Sequence, residues 1–240
     1  MNLNYFKAVA TDGTDFRTGK VHWLPADGAP IPEGGWAVEH PEPGQVGDRD
    51  AADYLSAATV ETDCAGFSWP GRLLSVEPVG DVWTPHPDSF PHMRAAHAWR
   101  VVGELPAWRL FGPQERQVLD IIDRAEHLTV GEIEDLATPW SAAQESIQVA
   151  ALVTARDAAY GASRGAALVA SRGAARDAAR DAARNDAARL AAWDADYGAA
   201  QFAASDAVLG WLVKDLISTK DFRTLTGPWE HATGLIEVTA

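Results

Sequence analysis

The sequence predicts an α+β protein in which a small domain with a mixed or antiparallel sheet precedes an all-α, alanine-rich helical bundle. Six of the ten tryptophans and most of the prolines come before residue 112, among short stretches patterned like strands. After Pro113 the apolar residues recur at helical spacing, and Gly112 with Pro113 marks the change. We therefore expect a small Trp-rich domain over residues 1–111 and a helical domain over residues 112–240.

Five strands account for the first domain. Segments 4–10 and 19–24 are the first two, and the "TDGT" between them is a turn signal. The third strand is "WAVEH", the fourth lies in "GRLLSVEPVGDVW" with a turn from Pro78 to Gly80, and the last is "HAWRVVGEL". Between the third and the fourth, "DRDAADYLSAA" (48–58) predicts a short helix because its alanine, tyrosine and leucine suit one.

Helical periodicity begins the second domain. The segment "PQERQVLDIIDRAEHL" (113–128) predicts an amphipathic helix because its apolar residues share one helical face. Thr129 and Glu132 then have the spacing of a capping box, which predicts the start of a short helix. Ser141 and Gln144 repeat this spacing before a much longer helical region.

The long alanine-rich region predicts at least two helices. Alanine is the strongest helix former, and Gly161, Gly165 and Gly173 are the natural points of interruption. Segment 199–217 predicts a core helix, and segment 218–234 predicts turns with a tryptophan that packs on the bundle. The expected apolar stripe of the core helix consists of Phe202, Leu209, Leu212, Val213 and Leu216.

Four arginines recur every fourth residue in the alanine-rich run: Arg172, Arg176, Arg180 and Arg184. One interpretation is a ridge that binds an anion or a partner, because guanidinium groups form paired hydrogen bonds with carboxylates and phosphates. The other is a solvated face whose arginines pair with aspartates three residues away, opposite an alanine face that lets helices approach closely. We favour the second interpretation, and the alanine face could equally form the seam of a homodimer.

Charge and composition argue against several classes of function. A net charge of −14 disfavours broad adhesion to nucleic acid or to an anionic membrane. No apolar run reaches the roughly 18 to 20 residues of a membrane span, and the N-terminal residues lack a secretory pattern, so we expect a cytoplasmic protein. Cys64 is the only cysteine, which excludes an internal disulfide. The P-loop, GxGxxG, GxSxG and HExxH motifs are all missing from the sequence.

Candidate ligand-binding residues lie near the predicted strand ends of the first domain. A histidine there could transfer a proton, a tryptophan offers a stacking surface, and a glutamate after "LLSV" places a carboxylate at a strand end. These candidates are Arg17, His22, Trp23, His40, Tyr54 and Glu77. Most tryptophans of this domain are better explained as core residues, because large rings fill a small domain efficiently.

The densest group of potential metal ligands comprises His86, His92 and His97 with Asp81 and Asp88. Zinc needs three or four converging ligands, whereas these residues stand in a proline-rich stretch and do not share one helical face. We therefore interpret the stretch as a polar surface loop. The sequence predicts no metal site and no cofactor.

Four motifs stand out in the first domain: "YFKAVATDGTDFRTG", "GGWAVEHPEP", "GRLLSVEPVGDV" and "HAWRVVGELPAWRLFGPQ". Together they resemble an uncharacterised domain family of phage and actinobacterial proteins. The alanine-rich "ARDAA" units are similar to the helical repeats of candidate immunity proteins of toxin systems. The resemblance implies no known activity, and for a phage-encoded protein it implies the host cytoplasm. The chain departs from the family pattern at Trp36, where histidine is usual, while His40 follows later.

The sequence favours a non-catalytic protein that binds another protein, with a phage accessory or immunity-type factor as the setting that the resemblance implies. The main alternative is an enzyme of the first domain that uses a nucleotide or NAD, since the order of elements is similar to ADP-ribosyltransferase-like folds. It requires a pocket that joins Arg17, His22, Tyr54 and Glu77. A third hypothesis is an acidic mimic of nucleic acid, which requires clustered carboxylates. We expect neither membrane association nor direct binding of nucleic acid.

Overall fold

The computed structural model describes residues 4–26, 29–64, 66–136, 142–185 and 194–234. These residues contain six β-strands in one antiparallel sheet and then six α-helices, which confirms the predicted α+β class. The chain divides into two compact units, Met1–Gly112 with the sheet and Pro113–Ala240 with the helices. Within the described ranges, no helix combines the length and the apolar character needed to cross a lipid bilayer.

The strands of the first unit are β1 (Tyr5–Val9), β2 (Trp36–Glu39), β3 (Leu55–Ala58), β4 (Arg72–Val79), β5 (Met93–Ala96) and β6 (Ala98–Leu105). Their order across the sheet is β2–β6–β4–β1–β3–β5, and every neighbouring pair is antiparallel. The ladder between β4 and β6 contains a bulge between Ser75 and Val76. Four of the five predicted strands are present, as β1, β2, β4 and β6.

The predicted strand over residues 19–24 is wrong. Among the described residues, the segment forms one isolated bridge, between Thr14 and His22, and the following Trp23 and Leu24 are buried in the core. Burial of these two apolar side chains stabilises the segment without a strand ladder. The segment therefore folds back beside the sheet without extending it.

The predicted helix over residues 48–58 is also wrong, because its second half forms β3. Leu55 and Ala57 alternate onto the buried face of the sheet, and Leu55 pairs with Ala96 of β5. Packing against neighbouring strands outweighs the intrinsic helix preference of the alanines. The sequence analysis does not predict β5 itself, because the strand is short and runs directly into β6.

The main core of the first unit covers one face of the sheet. Trp99 of β6 is fully buried there, its Nε1 donates to the carbonyl oxygen of Leu55 at 3.1 Å, and its ring meets Tyr5 edge-on with 5.3 Å between centroids. Trp23 enters the same core from the segment after β1. The interpretation of tryptophans as core residues is thus confirmed for Trp23 and Trp99, whereas Trp108 is exposed.

The helices of the second unit are α1 (Glu115–Ala125), α2 (Val130–Leu136), α3 (Ala142–Gly161), α4 (Gly165–Asn185), α5 (Asp194–Leu212) and α6 (Thr219–Thr233). The amphipathic helix predicted over residues 113–128 is confirmed as α1. Helix α5 is central, since it packs against each of the other five helices. Its C-terminal half is buried on all sides, as a central helix requires.

Local signals set several helix ends correctly. Thr129 N donates to Glu132 Oε2 at 2.8 Å, and Glu132 N donates to Thr129 Oγ1 at 3.4 Å, which confirms the capping box. The predicted break in the long region is confirmed between Gly161 and Gly165, while α4 continues through Gly173. The second capping box, at positions 141 and 144, lies outside the described side chains.

The prediction of turns after residue 217 is wrong, because residues 219–233 form α6. Ser218 caps this helix by accepting a hydrogen bond from Asp221 N at 3.1 Å. Burial of Leu225 and Trp229 holds the helix in place, so the predicted packing of the tryptophan is confirmed. The apolar stripe predicted for the core helix is confirmed in part. Leu209, Leu212 and Val213 are buried, but Phe202 and Leu216 are exposed.

Candidate functional site

Arg17, His22 and Trp23 lie on the segment that follows β1. Arg17 and His22 are exposed, whereas Trp23 is completely buried in the sheet core. Asp15 shapes the segment, because its carboxylate accepts hydrogen bonds from Thr18 N at 3.0 Å and from Thr18 Oγ1 at 2.6 Å. Arg17 belongs to this turn, and its side chain is open to solvent.

Glu77 lies on the face of the sheet opposite the main core. Its neighbour Val76 packs in the core cluster with Trp23, and successive residues of a strand point to opposite faces. The sheet therefore separates the Glu77 carboxylate from the buried ring of Trp23. The fold does not bring Glu77 to the segment that carries Arg17 and His22, as the enzyme hypothesis requires.

Tyr54 stands at the start of β3 and is almost fully buried. Its ring meets Trp83 edge-on at 5.9 Å, and its hydroxyl has no hydrogen-bond partner among the described residues. Burial raises the pKa of Tyr54, while the positive charge of Arg17 acts in the opposite direction. Among the predicted site residues, Arg17 is therefore the one whose charge acts on Tyr54.

Lys7 is a charged residue of this unit that the sequence motifs do not point to. It lies between the buried residues Tyr5 and Val9 of β1, is itself half-buried, and lines the same narrow depression as Asp63 and Cys64. Its Nζ is 4.9 Å from the ring centroid of Trp23. Burial lowers the pKa of Lys7, and Arg17 acts in the same direction. The sequence signal for this residue is a lysine at a position of β1 where strand alternation predicts an apolar side chain.

Two histidines of the first unit, His40 and His92, form hydrogen bonds with nearby residues. His40 Nδ1 accepts a hydrogen bond from Glu42 N at 3.2 Å, which closes the turn after β2. His92 Nδ1 shares a hydrogen bond with Thr59 Oγ1 at 3.0 Å. In the part of the chain that the structure describes, no three histidine, cysteine, aspartate or glutamate side chains are grouped to hold a metal ion.

Cys64 is buried beside β1 and lines a narrow depression with Asp63 and Met93. Burial raises the pKa of its thiol to about 12, although Lys7 and the backbone N–H of Ala8 act to lower it. The thiolate, which is the nucleophilic form, is therefore scarce at neutral pH. This position suits a small core residue and does not suit a catalytic nucleophile.

In the helical unit, Arg172 is bound within the bundle. Its Nε donates to Ser205 Oγ at 2.6 Å, and its Nη2 donates to Asp206 Oδ1 at 3.3 Å. Gln148 of α3 donates to the other oxygen of Asp206 at 3.0 Å. Asp206 is 5% exposed, and burial raises its pKa despite these partners. The network joins α3, α4 and α5 around one buried carboxylate.

Two exposed aromatic rings flank this network, each with an arginine against it. Arg176 Cζ lies 5.5 Å from the ring centroid of Phe202, and Arg156 Cζ lies 6.0 Å from that of Tyr160. Burial lowers the pKa of Arg172, and the positive charges of Arg176 and Arg156 act in the same direction. We call these five residues the arginine–aromatic patch: Arg156, Tyr160, Arg172, Arg176 and Phe202.

The four predicted arginines have separate roles in the structure. Arg172 binds inside the bundle, and Arg176 lies over a ring. Arg180 pairs with Asp177 three residues away at 2.9 Å, as the salt-bridged interpretation expects. The side chain of Arg184 lies outside the described residues. Arg156, Tyr160 and Phe202 are not predicted as binding residues from the sequence, although the i, i+4 spacing of the first two is a recognisable helical pair.

Comparisons of the chain with protein families, with curated proteins and with solved structures found no match. The resemblance to a phage and actinobacterial domain therefore rests on the four sequence motifs alone.

Proposed function

We propose that this protein binds a partner protein through the arginine–aromatic patch, and that the partner presents carboxylates to it. The observation that carries the proposal is a group of three arginines beside two exposed rings: Arg172 pairs with the buried carboxylate of Asp206, while Arg176 lies over Phe202 and Arg156 over Tyr160. Three of the four charged side chains in this group are positive and one is negative. This excess occurs in a chain whose net charge is −14.

The hydrogen-bonding capacity of the patch is not used up within the chain. Arg176 Nε is buried and has no acceptor among the described residues. A buried donor without an acceptor costs roughly 1–3 kcal/mol. Burial also lowers the pKa of Arg172, which means that its charge is incompletely compensated. A carboxylate from a partner supplies both the acceptor and the opposite charge.

The two rings provide the apolar part of an interface. Tyr160 is 53% exposed and Phe202 is 60% exposed, although large aromatic side chains are buried on average. Two exposed valines extend this surface. Val153 lies two turns before Tyr160 on the same face of α3, and Val169 lies two turns before Arg176 on the same face of α4. Tyrosine and arginine are among the residues that contribute most to binding at protein interfaces.

A protein with acidic groups fits the patch better than other occupants do. A second copy docked symmetrically on the patch would set guanidinium groups against guanidinium groups. Nucleic acid would meet the arginines but also the acidic remainder of the chain. The alanines considered for a dimer seam, such as Ala175 and Ala179 of α4, are buried within the helical unit.

Site-specific photo-cross-linking tests this proposal. We expect p-benzoylphenylalanine at position 160 or 202, in cells of the source organism, to cross-link to one and the same protein. The same residue at Phe90, an exposed aromatic of the first unit, is the matched control and should not capture that protein. Cross-links to nucleic acid, no cross-link from the patch, or the same protein from all three positions would each refute the proposal.

The captured protein is then purified for a binding titration. Arg176→Gln should weaken its affinity at least roughly tenfold, because truncating one partner of a buried charge pair is costly. Arg180→Gln, which alters the neighbouring exposed pair, should change the affinity less than about twofold. Equal effects of the two substitutions would show that general charge, and not the patch, determines binding.

A further inference from the structure

Helix α3 buries small side chains and exposes large apolar ones. Three alanines of one face, at positions 151, 155 and 159, are at most 1% exposed, and by this face α3 packs within the helical unit. Val149 and Val153 are 59% and 54% exposed, and Tyr160 is exposed as well. A surface helix normally turns its large apolar residues toward the core and its polar residues toward water. Part of the solvent-facing surface of α3 is therefore apolar where a polar surface is expected.

Four exposed residues of α3 share one face, which we call the α3 seam: Val149, Val153, Arg156 and Tyr160. They are spaced alternately four and three residues apart, as in the contact face of a coiled coil. At about 100° and 1.5 Å per residue, the seam lies roughly 130° around the helix from the buried alanines and extends over about 16 Å. Arg156 Cζ lies 6.0 Å from the ring centroid of Tyr160, so the stem of the arginine belongs to the same surface. The seam thus continues over about three turns of α3.

An α-helix is the element that fits this seam. An extended segment that binds a protein gains much of its affinity from backbone hydrogen bonds to a sheet edge. Helix α3 cannot supply such bonds, because its own helical turns use its backbone N–H and C=O groups. A second helix satisfies its backbone internally, and its side chains at spacings of three and four residues fit between those of the seam.

The arginines of α4 lie beside the first turn of the seam. Gln148, the residue before Val149, donates from Nε2 to Asp206 Oδ2 at 3.0 Å. Arg172 of α4 donates from Nη2 to the other oxygen of the same carboxylate at 3.3 Å, and Arg176 follows it one turn later. A helix that lies along the seam therefore has guanidinium groups next to it, and carboxylates are the side chains that pair with them.

We propose that the partner binds through an acidic amphipathic α-helix, which packs its apolar face along the α3 seam and directs carboxylates toward Arg156 and Arg176. Its apolar side chains cover Val149 and Val153. This inference rests on the proposed function, because the seam and the arginine–aromatic patch share Arg156 and Tyr160. It adds the kind of segment that the partner presents and the line along which that segment lies.

Cross-link mapping tests the seam. p-Benzoylphenylalanine is placed singly at positions 149, 153 and 160 of the full chain, and each variant is cross-linked to the purified partner that positions 160 and 202 capture. Mass spectrometry should find the attachment points along one partner segment, in one direction, at separations of roughly four and seven residues. Attachment from position 160 without attachment from 149 and 153 would overturn the seam but leave the proposed function standing. Scattered attachment points would do the same, whereas failure of 160 and 202 to capture one protein would refute the proposed function itself.

A synthetic peptide that covers the mapped partner residues tests the helix. Its affinity for the full chain is measured by fluorescence anisotropy, with proline or alanine at one central position that faces away from α3. Proline breaks the helix without changing the charge or the contacting side chains, so we expect it to weaken binding roughly tenfold or more. Alanine should change the affinity less than about twofold. Equal affinities of the proline and alanine peptides, or a parent peptide that does not bind, would overturn the helix.

Substitutions in α3 separate the seam from its surroundings. Val153→Gln should weaken binding of the peptide roughly tenfold, whereas Thr154→Gln, at the next exposed position, should change the affinity less than about twofold. Arg156→Gln should weaken binding about two- to fivefold, whereas Asp157→Asn removes the opposite charge beside it and should not weaken binding. All four residues are exposed, so the free variants should melt at the temperature of the parent. Equal effects at positions 153 and 154 would overturn the seam, and weaker binding by Asp157→Asn would overturn the acidic character of the helix.

Discussion

The guanidinium group of Arg164 and the carboxylate of Asp215 form a two-bond ion pair, with Nη1–Oδ1 at 2.6 Å and Nη2–Oδ2 at 2.9 Å. Arg164 Nη1 also donates to the carbonyl oxygen of Leu212 at 2.8 Å. Arg164 directly precedes α4, and Leu212 is the last residue of α5. One side chain therefore ties the connection between α3 and α4 to the end of the central helix.

Arg164→Gln should lower the free energy of unfolding by about 1–3 kcal/mol, as measured by urea denaturation. The substitution leaves the Asp215 carboxylate without its charged partner and the end of α5 without a donor. Arg180→Gln is the control, because the pair it breaks with Asp177 is largely exposed and should contribute less than about 0.5 kcal/mol. Similar losses in both variants would contradict the structural role of Arg164.

Asp206 should make the protein less stable as the pH rises. Burial raises its folded pKa above the unfolded value of about 3.9, so the folded state holds the proton more tightly. Its contribution favours folding below about pH 4 and is lost as the pH rises through the folded pKa. We expect Asp206→Asn to remove this pH-dependent loss in urea titrations between about pH 3.5 and pH 7.

Asp215 should have the opposite effect on the pH dependence of stability. Hydrogen bonding by Arg164 lowers the pKa of Asp215, so its stabilisation is present above about pH 4 and is lost as the pH falls through the folded pKa. Asp215→Asn should therefore cost stability at neutral pH and little in strong acid. The same direction of pH dependence for both variants would show that one of the two environments is assigned incorrectly.

Gly35→Ala should destabilise the first unit by more than about 1–2 kcal/mol. Gly35 has φ +88°, which is left-handed backbone, and an added Cβ would lie 2.7 Å from the carbonyl oxygen of Val101 on β6. Gly34→Ala is the matched control: φ is also positive at +124°, but nothing lies within 4 Å of the added Cβ. Thermal unfolding should show a clearly larger loss at Gly35, because only there is backbone in the way.

Phe202→Ala should leave the free energy of unfolding within about 0.5 kcal/mol of the parent, because most of the ring already contacts water. Trp229→Ala, in the buried face of α6, should cost about 3–5 kcal/mol. Urea denaturation of the two variants separates a ring kept for binding from a ring kept for folding. A large loss at Phe202 would assign it to the core and weaken the case for the patch.

Local patterns in the sequence determined much of the architecture. Alternating apolar residues predict β1, β2, β4 and β6, helical spacing predicts α1, and the Thr129–Glu132 capping box begins α2 as expected. The glycines at 161 and 165 place the break in the alanine-rich run. These features depend on residues within a few positions of one another, so their physical causes can be read along the chain.

Only the tertiary structure decided which side chains meet. Residues 55–58 form β3 because strands distant in sequence cover their apolar face, and residues 219–233 form α6 because Trp229 is buried within the helical unit. Contact between Arg176 and Phe202, and between Lys7 and Trp23, joins separate elements in the same way. Burial and electrostatic interaction depend on distance in space, and the spacing of residues along the chain does not determine that distance.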